Sequence, residues 1–422
     1  METNAIYLSS LGGSGENGRN CHLIETPDGI ILLDCGVKRE IIGDTVGFYP
    51  DLTPDLVSHI RMVFLSHCHE DHVAALPLLY HLGYTGKVYG TAETVQETSG
   101  FMKKWMDFVE KNHGVLPFTQ QDFEAVSFST IELGGEQEVN GVRFTTGRSG
   151  HVLGGTWYIF DIQGKKILYT GDMCLQPASM GVDIPDACDS AIMNGAYAGR
   201  VMHQEEQFEK LLTSVQETVE NGGKVLLPIP PKGRGIDIAL FLDKHLNGGT
   251  IYLEEAVVTS MKALAKKTDW LQEGFTTDLS ARVVVLSSDE ARGAAMNAEG
   301  SAVYITPDGM ITTDLSQQYL AALKGDAANK VIITGHAAQG TPGAGVLDEA
   351  YRAANGVQAA GEKIVFKVHM DDDDIHFLCK HTGAKQAILF HSNPEFHEAI
   401  KPRMAQEGVL ITTLRYPEKL KV

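Results

Sequence analysis

The run His67-Cys68-His69-Glu70-Asp71-His72 follows the apolar stretch from Met62 to Leu65 and packs four potential metal ligands into one short segment. In an extended strand, residues i and i+2 share a side, so His67 and His69 are expected to face one ion. Asp71 and His72 then fall at the start of a helix read over residues 73–82, where the turning chain aims them at a neighbouring ion. Imidazole nitrogen mixed with carboxylate oxygen suits zinc, with manganese or iron less favoured. A polar loop that merely happens to be His-rich is the competing reading, and matching ligands further along the chain weigh against it.

Three downstream positions complete the expected set. His151 lies in the small-residue turn Gly150 to Gly155 between two strand-like segments, and is read as the third imidazole on the first ion. Asp172 follows Tyr169-Thr170-Gly171 at a strand end, where glycine lets the backbone come close and the carboxylate could bridge both ions. His391 ends the apolar run Ala387 to Phe390 and is read as a ligand of the second ion. Asp34, at the end of Ile30 to Leu33, is read as a carboxylate behind the ligands that orients their imidazoles.

In this order, Asp34, His67 to His72, His151, Asp172 and His391 resemble the motifs of the metallo-β-lactamase superfamily. Within it, the chain is similar to the β-CASP branch of RNA-processing nucleases, which includes ribonuclease J and the cleavage-and-polyadenylation endonucleases. Leu11 to Asn20, Gly222 to Pro228 with Gly233-Arg234, Asp308-Gly309-Met310, Gly335 to Thr341 and His369-Met370-Asp371 match landmarks of that branch in sequence order. The resemblance implies an α/β fold: a metallo-β-lactamase αββα sandwich with an inserted β-CASP α/β domain. It also implies that His369 serves as general acid, and it sets Asn194, His203, Arg234 and Thr341 on the substrate side.

The chain departs from the branch at chosen places. Asn194-Gly195-Ala196-Tyr197 stands where the family has Glu-Ser-Thr-Tyr, so an amide replaces the carboxylate that braces the acid histidine. A nearby negative charge raises a histidine pKa, and an amide supplies none. Pro342-Gly343 follows Thr341 where the family continues Gly-Arg, and Ser392-Asn393 replaces a glycine and an acid after the last ligand.

The length of 422 residues predicts more than one core, and 43% apolar residues suffice to bury them. Val- and Ile-rich strands alternate with helical patterns, and the reading is residues 1–199 and 363–422 as the metallo-β-lactamase domain with residues 200–362 inserted. The run Asp371 to Asp374 reads, Asp371 apart, as a helix N-terminus, and Glu254 and Glu255 as solvated carboxylates. A net charge of −19 disfavours binding of nucleic acid through a broad basic face, leaving the metals and local cations such as Lys232, Arg234 and Arg19 to attract a polyanion. No signal peptide or membrane-spanning apolar run is read, and the six cysteines lack zinc-finger or C-x-x-C spacing. A cytoplasmic protein with reduced thiols is expected.

The function read from these residues is dinuclear metal-dependent hydrolysis of RNA phosphodiester bonds by a metal-activated hydroxide. In it, Asp71 or Asp172 holds the attacking water and His369 protonates the leaving oxygen. Two rivals stand beside it: a hydrolase of the same fold for a small ester, thioester or cyclic phosphate, and a catalytically weak relative that binds RNA without turnover. The expected cofactor is two divalent ions, zinc before manganese, and the expected partner RNA; the oligomeric state is left open, with a homodimer the assembly that the resemblance suggests.

Overall fold

A computed structural model describes residues 5–422. The chain divides into two compact units, one formed by the chain up to Val201 together with His369–Val422, the other by Met202–Val368.

The first unit is built on two seven-stranded sheets. In one, Tyr7–Gly12, Cys21–Thr26, Gly29–Leu33, Ile60–Phe64, Val88–Thr91 and Phe128–Ile131 lie side by side, with Leu420–Lys421 on the outer edge. In the other the order is Leu410–Thr412, Gln386–Phe390, Ser190–Asn194, Lys165–Tyr169, Thr156–Ile162, Val142–Arg148 and Glu136–Val139. The inner faces meet in a shared core: Ile31, Leu33, Met62 and Phe64 pack with Phe144, Tyr158, Phe160, Ile388 and Phe390. Because side chains alternate along a strand, Leu32 and Val63 point the other way, into a layer with Leu76, Leu79, Met102 and Trp105. On the far side Leu168, Met193 and Leu389 pack with Ile375 and Leu378 of the helix Asp372–Thr382 and Met404 of the helix Pro394–Gln406. The result is the αββα sandwich. Burial on both faces accounts for the unbroken apolar runs of its central strands.

The second unit holds a six-stranded sheet, in the order Val283–Leu286, Thr250–Glu254, Ala302–Thr306, Lys224–Pro228, Lys330–Ile333 and Ala360–Lys363, with every pairing parallel. Ala360–Lys363 pairs with Lys330–Ile333, so the sequence reading of a return to the first unit at residue 363 falls inside this sheet's last strand. The return comes at His369.

Two local readings are corrected. His67 to His69 lie in a loop after the strand Ile60–Phe64, not in the strand itself. The single helix read over residues 73–82 is two: Glu70–Val73, which carries Asp71 and His72, and Leu76–His81. Pro77 lies in the first turn of the second helix, where its missing N–H costs nothing, whereas inside one continuous helix it would break a backbone hydrogen bond.

Among the described residues, no helix is long and apolar enough to cross a membrane. Glu254 is not solvated: its side chain is buried, takes both Nε and Nη2 of Arg292 and accepts a hydrogen bond from the Tyr319 hydroxyl at 2.6 Å. Asp371 caps the helix Asp372–Thr382, accepting from the backbone N–H groups of Asp373 and Asp374.

Candidate metal centre

His67, His69, His151, Asp172 and His391 come from loops at strand ends of the first unit, and Asp71 and His72 from the short helix Glu70–Val73. Asp34 and His391 each follow a buried strand in the left-handed region, with φ of 59° and 72°. That turn lifts the side chain out of the sheet at a modest conformational cost. The His391 N–H is held by the Gly13 carbonyl at 2.7 Å. Gly36 allows the closest approach, since a Cβ there would lie 1.7 Å from the Asp71 carbonyl oxygen. Gly171, with φ of 52°, leaves room for Ser66 in the same way.

Two ligand sets result. In the first, His67 Nε2 lies 3.0 Å from His69 Nδ1, His151 Nε2 lies 3.3 Å from the same nitrogen, and Asp172 completes the group. The second joins Asp71, His72 and His391, with His391 Nε2 3.0 Å from Asp71 Oδ2. Asp172 stands between them. Its Oδ2 is 3.8 Å from His67, 3.6 Å from His151 and 3.4 Å from His391, while its Oδ1 is 3.4 Å from His72 Nε2. His369 Nδ1 approaches that same Oδ2 at 3.7 Å, its ring 4.8 Å from His151 and 5.1 Å from His391.

Behind the ligands, Asp34 gathers donors. It accepts from the Ser66 N–H at 2.7 Å and the Ser66 hydroxyl at 2.6 Å, bonds His72 Nδ1 at 2.6 Å, and takes the Tyr169 hydroxyl. A carboxylate on Nδ1 leaves Nε2 of His72 as the coordinating nitrogen and fixes its ring. Asn20 adds a second support, its amide nitrogen donating to Asp71 Oδ2 at 3.2 Å. Neither Tyr169 nor Asn20 was expected as a site residue. Tyr169 is a polar end on an otherwise apolar strand, and Asn20 closes the glycine-rich segment Leu11 to Asn20.

The electrostatics suit a divalent cation. Burial, reinforced by the neighbouring imidazole of His151, pushes His69 down to about 3, so it is neutral and ready to coordinate. Burial would likewise depress His391, but the carboxylates of Asp172 and Asp71 hold it up at about 9. Burial would raise Asp71 and Asp172, yet the surrounding imidazoles keep both below the usual carboxylate range. The carboxylates of Asp172 and Asp71 draw positive charge onto His72 and His391, where a cation would take its place, beside the neutral imidazoles of His67 and His69, and this donor set fits a dinuclear centre.

The residues assigned to the substrate side fall in several places. Asn194 is fully buried, and its Nδ2 donates to Asp172 Oδ1 at 2.7 Å. It therefore supports the Asp172 carboxylate and is no surface for substrate. The second unit carries the other three. His203 is exposed and precedes the helix Gln204–Glu220. Arg234 opens the helix Arg234–His245, and its guanidinium lies so close to Gly335 that a Cβ there would meet Nη1 at 2.3 Å. Burial, with Lys363 and Arg234 nearby, lowers the pKa of His336, marking a cationic end of this sheet. The Thr341 hydroxyl is engaged with the backbone: it donates to the Ala338 carbonyl and caps the helix Pro342–Gly345.

Residues 30–220 match the model of the beta-lactamase superfamily domain, and residues 235–346 that of the Beta-Casp domain. The chain belongs to the β-CASP branch of the metallo-β-lactamase superfamily. It is 28% identical to the cleavage and polyadenylation specificity factor 73 of Drosophila melanogaster, over 92% of this chain and 58% of that protein. It is 28% identical to endoribonuclease YSH1 of Yarrowia lipolytica, over 92% of this chain and 50% of that one. With the transcription termination factor FttA of Methanocaldococcus jannaschii it shares 27% over 91% of this chain and 64% of the relative. The chain thus spans between about half and two thirds of the length of these relatives. A crystal structure of a protein of unknown function from Enterococcus faecalis has the same fold, with a TM-score of 0.62 and 15% identity, covering 99% of this chain and 100% of that one. The fold implies divalent metal ions, for which the His/Asp cluster supplies the donors.

Proposed function

We propose that this β-CASP protein is a metal-dependent ribonuclease that hydrolyses phosphodiester bonds in RNA. The observation that carries the reading is the position of Asp172, within 3.8 Å of His67 and His151 on one side and 3.4 Å of His72 and His391 on the other, with His369 at its edge. His67, His69, His151 and Asp172 would hold one ion, and Asp71, His72, His391 and Asp172 the other. We read the ions as zinc, since five of the seven ligands are imidazoles. Bound there, they would supply Lewis-acid polarisation of a phosphoryl oxygen and a water acidified toward neutral pH.

The chain's own residues then divide the work. Asp71, whose side chain is 29% exposed, is the ligand best placed to accept a hydrogen bond from the attacking water. Asp34, Asn20 and Asn194 hold the ligands still. His369, partly exposed and beside the ligand sets, is the residue we assign to protonate the leaving oxygen. The relatives named as an endoribonuclease and as a cleavage and polyadenylation factor support RNA as the substrate. The six free, buried cysteines support a reducing compartment such as the cytoplasm.

A second reading, a small phosphodiester or ester as substrate, is favoured by the net charge of −19 and by the uncharged Asn194. Metal analysis followed by parallel assays of 5′-labelled RNA and bis(4-nitrophenyl) phosphate separates the two. Turnover of the small diester with no RNA cleavage under any metal would reject the ribonuclease.

A further inference from the structure

The loop that follows Asn194 holds a cation that nothing above uses. The guanidinium of Arg200 lies over the face of the Tyr197 ring, 4.3 Å from its centroid, and its Nη2 donates to the Ala196 carbonyl at 3.2 Å. Tyr197 in turn meets His369 edge-on, with ring centroids 5.1 Å apart and planes at 82°. The backbone is strapped to the segment after His369: the Asp372 N–H donates to the Arg200 carbonyl at 3.1 Å, and the Gly199 N–H to Asp372 Oδ1 at 2.9 Å. Gly199 turns with φ of 80°, which favours glycine and folds Arg200 back over the tyrosine.

Arg200 differs from most arginines of this unit in what balances it. Arg19, Arg39, Arg143, Arg148 and Arg403 each pair with a carboxylate. Arg200 has no such partner among the described residues and is exposed. A cation stacked on an aromatic face is already ordered, so binding an anion costs it little further side-chain entropy. Its planar fork suits phosphate. In a chain of net charge −19, any polyanion must find such isolated cations.

The geometry points to Arg200, held by Tyr197, as a contact for a backbone phosphate of the substrate strand next to the one that is cleaved. The inference rests on the ribonuclease reading and names one point at which the strand is gripped.

The test is binding of the metal-loaded full chain to a labelled single-stranded RNA with phosphorothioate linkages, which keep the backbone charge and resist hydrolysis, followed by anisotropy across a salt series. Arg200→Gln should weaken binding and lower the slope of log K against log salt by about 0.7, the loss of one phosphate contact on a single strand. Arg200→Lys should keep the slope at reduced affinity, because the charge stays while the planar stack is lost. Tyr197→Leu should weaken binding through the freed arginine. Metal content measured on each variant reports that the centre is intact. An unchanged slope in Arg200→Gln, even with weaker binding, overturns the phosphate contact in favour of base stacking. A chain that grips the strand through Arg200 yet never cleaves natural RNA keeps this inference and rejects the ribonuclease. Failure of the native chain to bind the strand rejects both.

Discussion

The Asn194 amide donates to Asp172 Oδ1 at 2.7 Å, and so supports the carboxylate shared by both ligand sets instead of the histidine proposed as acid. In the pattern of the branch, position 194 carries a carboxylate that braces the acid histidine, whereas here its side chain meets Asp172. Asn194→Asp would set a carboxylate against Asp172, and one of the two must take up a proton or move. Metal affinity should fall about 10- to 100-fold, as for the loss of other groups that orient metal ligands. Titration with a competing chelator checks it, and tighter metal binding in Asn194→Asp would show the assignment to be wrong.

Asp172→Ala should strip both ions, whereas His69→Ala should spare the second set, because in the proposed assignment Asp172 alone serves both, with its Oδ1 3.4 Å from His72 Nε2 and its Oδ2 3.4 Å from His391 Nε2. Metal content by mass spectrometry, read together with thermal unfolding, measures the difference. Equal loss in the two variants would mean that the sets do not share Asp172 in the manner its distances imply.

His369→Ala should slow cleavage of an RNA phosphodiester by roughly 10² to 10⁴, the usual contribution of a positioned proton donor. A nitrophenyl leaving group needs no proton, so the same variant should cost little there. Comparable losses on both substrates would reassign His369 to shaping the centre.

Burial pushes His397 down to about 4, its ring held between the Ser392 and Thr413 hydroxyls, and pushes His22 down to about 3. Between pH 6.5 and these values the unfolded chain binds protons that the folded chain does not. Stability should therefore fall as pH drops through that window, by on the order of 3 kcal/mol for His397 once the pH is below 4. Denaturant unfolding at stepped pH measures the slope, and His397→Gln should flatten it.

Arg292→Leu in the second unit should destabilise by about 3 kcal/mol, since it leaves the buried Glu254 carboxylate with only the Tyr319 hydroxyl. The double variant Arg292→Leu with Glu254→Leu should recover much of the loss. Metal content should be unchanged in both, because every ligand lies in the first unit.

The ligand run at His67 to His72, the apolar strands and the family motifs were legible in the amino-acid order because they depend on short spacings. A period of two in a strand determines which residues face a core, and a handful of adjacent imidazoles and carboxylates determines what a loop can coordinate. Partnerships across long separations were not legible. Asn194 meets Asp172 because the strands Lys165–Tyr169 and Ser190–Asn194 run parallel in a register that brings their ends together. Glu254 is buried because Arg292 and Tyr319, distant in sequence, converge on it. Arg200 lies over Tyr197 because Gly199 turns left-handed and Asp372 ties the loop down. Residue types limit what each side chain can offer. Which donor meets which acceptor is decided only when the sheets pair and the loops close, since a buried polar group takes the partner that the packed chain brings within reach.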